Sequence, residues 1–265
     1  MLTQYKEPKT IKEQIEILKS EKNVVFHEID ELKAAEYLYT RNYINVISPF
    51  KFNFAKKLDT DPFVAIKIRG KHIYDEKVDF SNYVKSYEDE RNSYPRIFER
   101  ISNFESIFNS VLSYNVLMYF KIVNKSDFDA FLNNLKSRLV SIKIARRHHY
   151  TQVLDSFSDK IEKYNSVFLF FDRLSLGEQL VIFSCSDNKM KKKILLDLYE
   201  RECSFGLDDI KTFEEKLFTL INIRNCVYHN NSLEILVRYY DIKKKDIRNS
   251  SDRKSYTNLI KQLLE

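Results

Sequence analysis

Apolar residues recur at every third or fourth position along most of the chain, the rhythm of helices that bury one face. Ile11, Ile15, Ile17 and Leu18 predict a first helix that starts near Lys9 or Thr10. Val24-Val25-Phe26 interrupts the rhythm as a packed loop, and Ile29, Leu32, Ala35, Tyr37 and Leu38 resume it as far as Tyr43. Between residues 47 and 63 the rhythm fails. Pro49 and Pro62 break local helices there, while Phe50, Phe52 and Phe54 alternate as in a strand or an extended packed loop. Residues 66–70 read as a second short extended piece.

Beyond Phe80 the pattern clears. Ile97, Ile101, Phe104, Phe108, Val111 and Leu112 predict a long amphipathic helix, with Ser93 as its cap and Pro95 in its first turn. Ser126 or Asp127 is the expected cap of the next helix, which carries Phe128, Phe131, Leu132, Leu135 and Leu139. Val153, Leu154, Phe157 and Ile161 follow, then the dense apolar run of residues 167–171. Ser175-Leu176-Gly177 marks a turn or a helix start, residues 190–199 a short helix, and Gly206 its break. Asp208 or Asp209 opens a helix through Phe213, Leu217, Leu220 and Val227, and Tyr256, Leu259, Ile260, Leu263 and Leu264 close the chain with another. The fold class read from this pattern is all-α: an amino-terminal helical segment with an irregular aromatic-rich region over residues 1–79, then a helical bundle over residues 80–265.

Composition sharpens that picture. Three Gly and four Pro in 265 residues are too few for a fold rich in tight turns, so long helices and short loops are favoured. Twenty Phe and 17 Tyr supply core bulk without a single Trp, which excludes a disordered polyelectrolyte. The net charge of +6 suits an anionic partner without identifying one. Cys185, Cys203 and Cys226 lack metal-ligand spacing and read as reduced thiols, and no apolar run is long enough for a signal peptide or a bilayer span. A soluble cytoplasmic protein without a cofactor or metal is expected.

The chemistry concentrates in Arg224-Asn225-Cys226-Val227-Tyr228-His229. Arg224 occupies a step of the apolar stripe, seven residues after Leu217 and three before Val227, where a charge is costly unless paired. Asn225 and His229, four apart, share a helix face. Arg224 and His229, five apart, lie about 140° from each other on an ideal helix, so one helix brings both to one phosphate only if its last turn unwinds. Two antiparallel copies of the helix could converge them. RNA cleavage needs a base for the ribose 2'-hydroxyl, an acid for the departing 5' oxygen, and positive charge against the phosphorane. Imidazole can take either proton-transfer role, guanidinium grips phosphate, and an attacking ribose hydroxyl would make a metal unnecessary and DNA inert. The same spacing also fits an Arg-Asn-His network that caps a helix end or satisfies buried partners.

Residues 223–231 resemble the Arg-Asn-three-residue-His signature of HEPN ribonuclease domains, in particular the Abi-like group of AbiD and AbiF abortive-infection proteins. The resemblance extends to residues 14–20, Ala35-Glu36-Tyr37-Leu38, Arg41-Asn42-Tyr43, Pro49-Phe50, residues 101–114, and the turn Leu174-Ser175-Leu176-Gly177-Glu178 where that group carries Ser-Phe-Gly. It implies a HEPN-type helical bundle, a homodimer, and a metal-independent endoribonuclease serving as toxin in antiphage defence, restrained in AbiF-type relatives by a small structured RNA. Carried over, Arg224, Asn225 and His229 would be the catalytic residues, one set from each subunit. Two departures stand out: Val227-Tyr228-His229 replaces the usual Ala-His-His, and Tyr43-Ile44 replaces a tyrosine pair.

Lys136, Arg138, Lys143, Arg146, Arg147, His148 and His149 form a basic stretch that is either a solvated face or an RNA-backbone contact. Lys189 with residues 191–193, and residues 243–245 with Arg248, are similar runs. Tyr228 is placed to stack an unpaired base or to pack the helix end, and Cys226 reads as packing. The rival functions are a non-catalytic RNA-binding regulatory protein and an inert protein-interaction module.

Overall fold

The structure, a computed structural model, describes residues 7–68, 71–141, 147–201, 209–241 and 246–265. It is 74% helical, so the class is all-α, and the four two-stranded ladders among the described residues are too short to form a layer. Two compact units emerge: one runs to Pro95 and resumes from Cys226 to Thr257, and the other holds Arg96–Asn225 and Asn258–Leu263.

In the first unit, α1 (Ile11–Lys22) starts at a reciprocal capping box. Thr10 Oγ1 accepts the Glu13 N–H, and the Thr10 N–H donates to Glu13 at 2.7 Å. The helix stops at Asn23, whose left-handed φ of 52° turns the chain into β1 (Val24–Val25). That strand, expected as a loop, pairs in parallel with β6 (Val78–Asp79). Asp30 caps α2 (Glu31–Arg41), which buries Ala34 and Leu38, whereas Leu32 points outward at 83% exposure.

Short helices α3 (Tyr43–Val46) and α4 (Lys51–Phe54) follow. The Phe50-Phe52-Phe54 alternation is thus helical. Its rings are held by different neighbours: Phe52 by His72 at 4.9 Å and Phe54 by Tyr83 at 4.5 Å. The ladders β2 (Lys57–Leu58) with β3 (Asp61–Ala65), and β4 (Lys67–Ile68) with β5 (Lys71–His72), account for part of the expected extended piece. Arg69 and Gly70 lie outside the described residues. The core gathers Ile15, Leu18, Leu38, Ile47, Phe80 and Tyr83.

Burial, with Lys51, Lys67, Lys22 and Arg238 around it, pushes the His72 imidazole down to about 4. His72 is therefore neutral in the folded chain where the unfolded chain, at its ordinary value of 6.5, already binds a proton. Stability present above pH 6.5 is lost as the pH falls towards 4, by roughly 1–3 kcal/mol. Urea midpoints measured across that window should fall with pH in the parent chain and stay nearly level in His72→Gln.

Helix α5 (Phe80–Phe120) is continuous for 41 residues, with Pro95 inside it. Ser93 is therefore not a cap. Asp79 takes that place, its carboxylate accepting the Ser81 N–H at 2.9 Å, and Ser93 Oγ donates to the Glu90 carbonyl at 2.6 Å. Pro95 removes one helical donor, but flanking turns and buried Tyr94 and Ile97 keep the helix intact. The first unit also contains α12 (Leu233–Arg238), the ladder β7 (Tyr239–Asp241) with β8 (Asp246–Ile247), and the start of α13 (Ser250–Leu264).

The second unit packs α6 (Lys125–Ser141), α7 (Arg147–Tyr164), α8 (Val167–Asp172), α9 (Leu176–Cys185), α10 (Asn188–Tyr199) and α11 (Ile210–Tyr228) with the rest of α5. Asn124, rather than Ser126 or Asp127, caps α6 by accepting the Asp127 N–H at 3.0 Å. Ser175 and Glu178 form a second capping box at α9, which is buried nearly all round and is the centre of this unit. Phe108 of α5 meets Phe183 of α9 at 6.0 Å and Phe213 of α11 at 5.7 Å. A second aromatic cluster, Phe128, Phe131, Phe157, Phe170 and Phe171, joins α6, α7 and α8. Gly206 lies outside the described residues.

Candidate active site

Helix α11 begins at Asp209, whose carboxylate accepts the N–H groups of Lys211 at 2.9 Å and Thr212 at 3.1 Å. Asp208 is outside the described residues. The helix buries Phe213, Leu217, Leu220, Ile223 and Val227. Arg224, on the edge of this stripe, is half-buried and paired. Its Nε lies 3.7 Å from Glu105 Oε2, and its Nη1 donates to Asn225 Oδ1 at 3.3 Å. Glu105 Oε1 accepts the Leu176 N–H at 2.9 Å. One carboxylate therefore serves both the start of α9 and the motif arginine, which offsets the cost of setting a charge at the core edge. Asn225 Oδ1 accepts from that guanidinium, and the residue is exposed.

The helix ends with its last turn intact. Asn231 N–H donates to the Cys226 carbonyl at 2.8 Å and Asn230 N–H to the Val227 carbonyl at 3.0 Å, with Asn230 left-handed at φ 55°. This is a Schellman closure with Asn in the position glycine usually takes. His229 is the capping residue and is exposed. The unwinding that would swing Arg224 and His229 to one side of a single helix does not occur. Tyr228 is 62% exposed, its ring edge-on to the His229 imidazole at 5.3 Å. Cys226 is buried, its thiol pushed up to about 12 by burial and directed at the Asn231 carbonyl at 3.3 Å, so it packs rather than reacts.

The turn after His229 is clasped by α5. Glu90 accepts the Ser232 hydroxyl at 2.9 Å and the Leu233 N–H at 2.6 Å, and Tyr94 presents its hydroxyl to Glu90 at 2.8 Å and to the Asn231 carbonyl. Burial pushes the Glu90 carboxyl up, opposed by those three donors. Arg91 donates to Asn230 Oδ1. Glu90→Ala leaves a buried N–H and a hydroxyl without acceptors and should cost about 1–3 kcal/mol in urea denaturation. Glu105, Glu90, Arg91 and Tyr94 lie 119 residues or more before the groups they hold, apart from Glu105 with Leu176, and no local pattern marks them.

The basic stretch divides. Lys136 is paired with Asp155 at 2.7 Å, Arg138 Nε donates to the Cys185 carbonyl at 3.0 Å, and Arg147 Nη2 to the Val140 carbonyl at 3.2 Å. His148 and His149 are exposed in the first turn of α7, and Lys143 and Arg146 lie outside the described residues. Lys191 is buried against Glu214 at 2.8 Å, and Lys193 pairs with Asp197 at 2.6 Å. Arg248 donates to the Leu236 carbonyl and covers the Tyr256 ring at 4.1 Å, while residues 243–245 are outside the described set. Several of these cations hold the fold rather than wait for a ligand. No helix among the described residues is long and apolar enough to cross a membrane.

A family model described as Abi-like protein matches residues 36–233, about three quarters of the chain, from α2 to the start of α12. Neither curated proteins nor solved structures gave a match.

Proposed function

The chain belongs to the Abi-like protein family, associated with abortive infection, and on that premise we propose that it is a metal-independent endoribonuclease in antiphage defence. The observation that carries this reading is the state of the motif: Asn225, Tyr228 and His229 are exposed, and Arg224 is ion-paired with Glu105 at 3.7 Å. In the proposed reaction the ribose 2'-hydroxyl attacks phosphorus and the bond to the 5' oxygen breaks. One imidazole takes the 2' proton, another group returns a proton to the leaving oxygen, and Arg224 meets the charge gathering on the phosphorane. The products are a 2',3'-cyclic phosphate and a 5'-hydroxyl.

Because α11 stays helical through Tyr228, Arg224 and His229 of one copy are turned apart by about 140°. That separation supports a homodimer in which each subunit lends one group to the other's cleft. A small structured RNA that restrains the enzyme belongs to the same proposal. Tyr228, Arg147, His148 and His149 remain the proposed RNA contacts among the described residues, with Lys143 and Arg146 beyond them.

The test is to incubate the protein with single-stranded RNA in EDTA and identify the product ends. Cyclic phosphate termini, with DNA left whole, are the expected result. Cleavage that needs added divalent metal would sink the mechanism. An absorbance scan of the purified protein tells whether a retained RNA masks the activity.

A further inference from the structure

We infer that Arg91 is a phosphate-binding arginine that meets the RNA backbone beside His229. The inference rests on the ribonuclease reading for its catalytic consequence, although not for the contact itself.

Arg91 projects from the turn of α5 that clasps the end of α11, and its Nη1 donates to the side chain of Asn230, the residue directly after His229. Its guanidinium lies over the rings of Tyr87 at 5.1 Å and Tyr94 at 4.9 Å. Two aromatic faces and one hydrogen bond hold the fork in a single orientation, so little conformational entropy is lost when it takes a ligand. Among the described residues no carboxylate is in ion-pair contact with it, and Glu90 acts on it only through space. Glu90, its neighbour in sequence, has both oxygens turned onto Tyr94, Ser232 and Leu233.

Arg224 differs on this point, because Glu105 already engages its charge. Arg91 is half-buried with its Nε shielded from water, and its hydrogen bond goes to a neutral amide oxygen rather than to a carboxylate. A planar, oriented fork whose charge Glu90 meets through space, without an ion-pair contact, is an arrangement that can take a phosphate oxygen pair. Its place next to His229 selects the phosphate at or beside the scissile bond.

The contact is tested by titrating fluorescent single-stranded RNA across a salt series, in a His229→Ala background so that nothing is cut. Arg91→Gln should make the slope of log affinity against log salt shallower by about 0.7, the loss of one single-strand phosphate contact. Arg91→Lys should keep the slope. With His229 restored, Arg91→Gln should lower kcat/KM by about 10²-fold, and Arg91→Lys should recover only part because it lacks the fork. Asn230→Asp, which sets a carboxylate on the guanidinium without removing it, should lose affinity too, and combining it with Arg91→Gln should add little.

A slope unchanged in both Arg91→Gln and Asn230→Asp overturns the inference, including when Arg91→Gln melts at lower temperature, since that pattern describes a merely structural residue. If the chain bearing His229 cuts no RNA, the ribonuclease reading fails while the slopes still decide Arg91.

Discussion

His229→Ala should slow RNA cleavage by about 10²–10⁴-fold, the range for losing a positioned proton-transfer group. Its folding stability should stay within about 0.5 kcal/mol of the parent. The two halves of that expectation come from different features. His229 follows the last helical residue, is exposed, and leaves the closure of the helix to backbone groups of Cys226, Val227, Asn230 and Asn231. Alanine keeps those hydrogen bonds, so any loss of turnover comes from missing chemistry. Arg224→Ala should also abolish cutting, but with a measurable drop in stability, because Glu105 loses its cation and keeps only the Leu176 N–H. Single-turnover cleavage in EDTA beside urea denaturation separates the two. Equal cleavage by His229→Ala and the parent removes the imidazole from the reaction.

The largest stability effect is expected at Phe108. The ring is fully buried and stands where α5, α9 and α11 meet, stacked on Phe104 at 5.7 Å and set edge-on to Phe183 and Phe213. Phe108→Ala removes those contacts and leaves a cavity that three helices cannot all close. A loss of about 3–5 kcal/mol follows, against a total on the order of 5–15 kcal/mol. Since α11 carries Arg224, the cavity should also loosen the site. A urea midpoint within experimental error of the parent would show that the core repacks around the gap. Phe108→Leu should recover most of the loss.

The elements differ in how legible they were. The helix starts at Thr10 and Ser175 have caps within three residues of the N–H groups they serve, so local pattern and local structure coincide. Pro95 was read as a helix start because the same residue type serves both there and, at greater cost, inside a helix. Its place was settled by neighbours such as Tyr94, tied to Asn231 far along the chain. The phenylalanines of α4 misled for a related reason: five residues are too few to separate a period of two from one of 3.6. The basic stretch around Arg138 looked like one charged face, yet Lys136 and Arg138 are engaged by Asp155 and the Cys185 carbonyl.

What the chain's own order determined is its helical class, the buried faces of its helices and the Arg-Asn-three-residue-His spacing at residues 224–229. These depend on contacts three or four residues apart, which a linear reading can see. Tertiary structure alone decided that Glu105 pairs with Arg224, and that Glu90, Arg91 and Tyr94 hold the turn behind His229. A carboxylate or guanidinium carries no mark of its distant partner. Packing of the buried faces sets where the helices lie, and whichever polar groups that packing leaves side by side must satisfy one another.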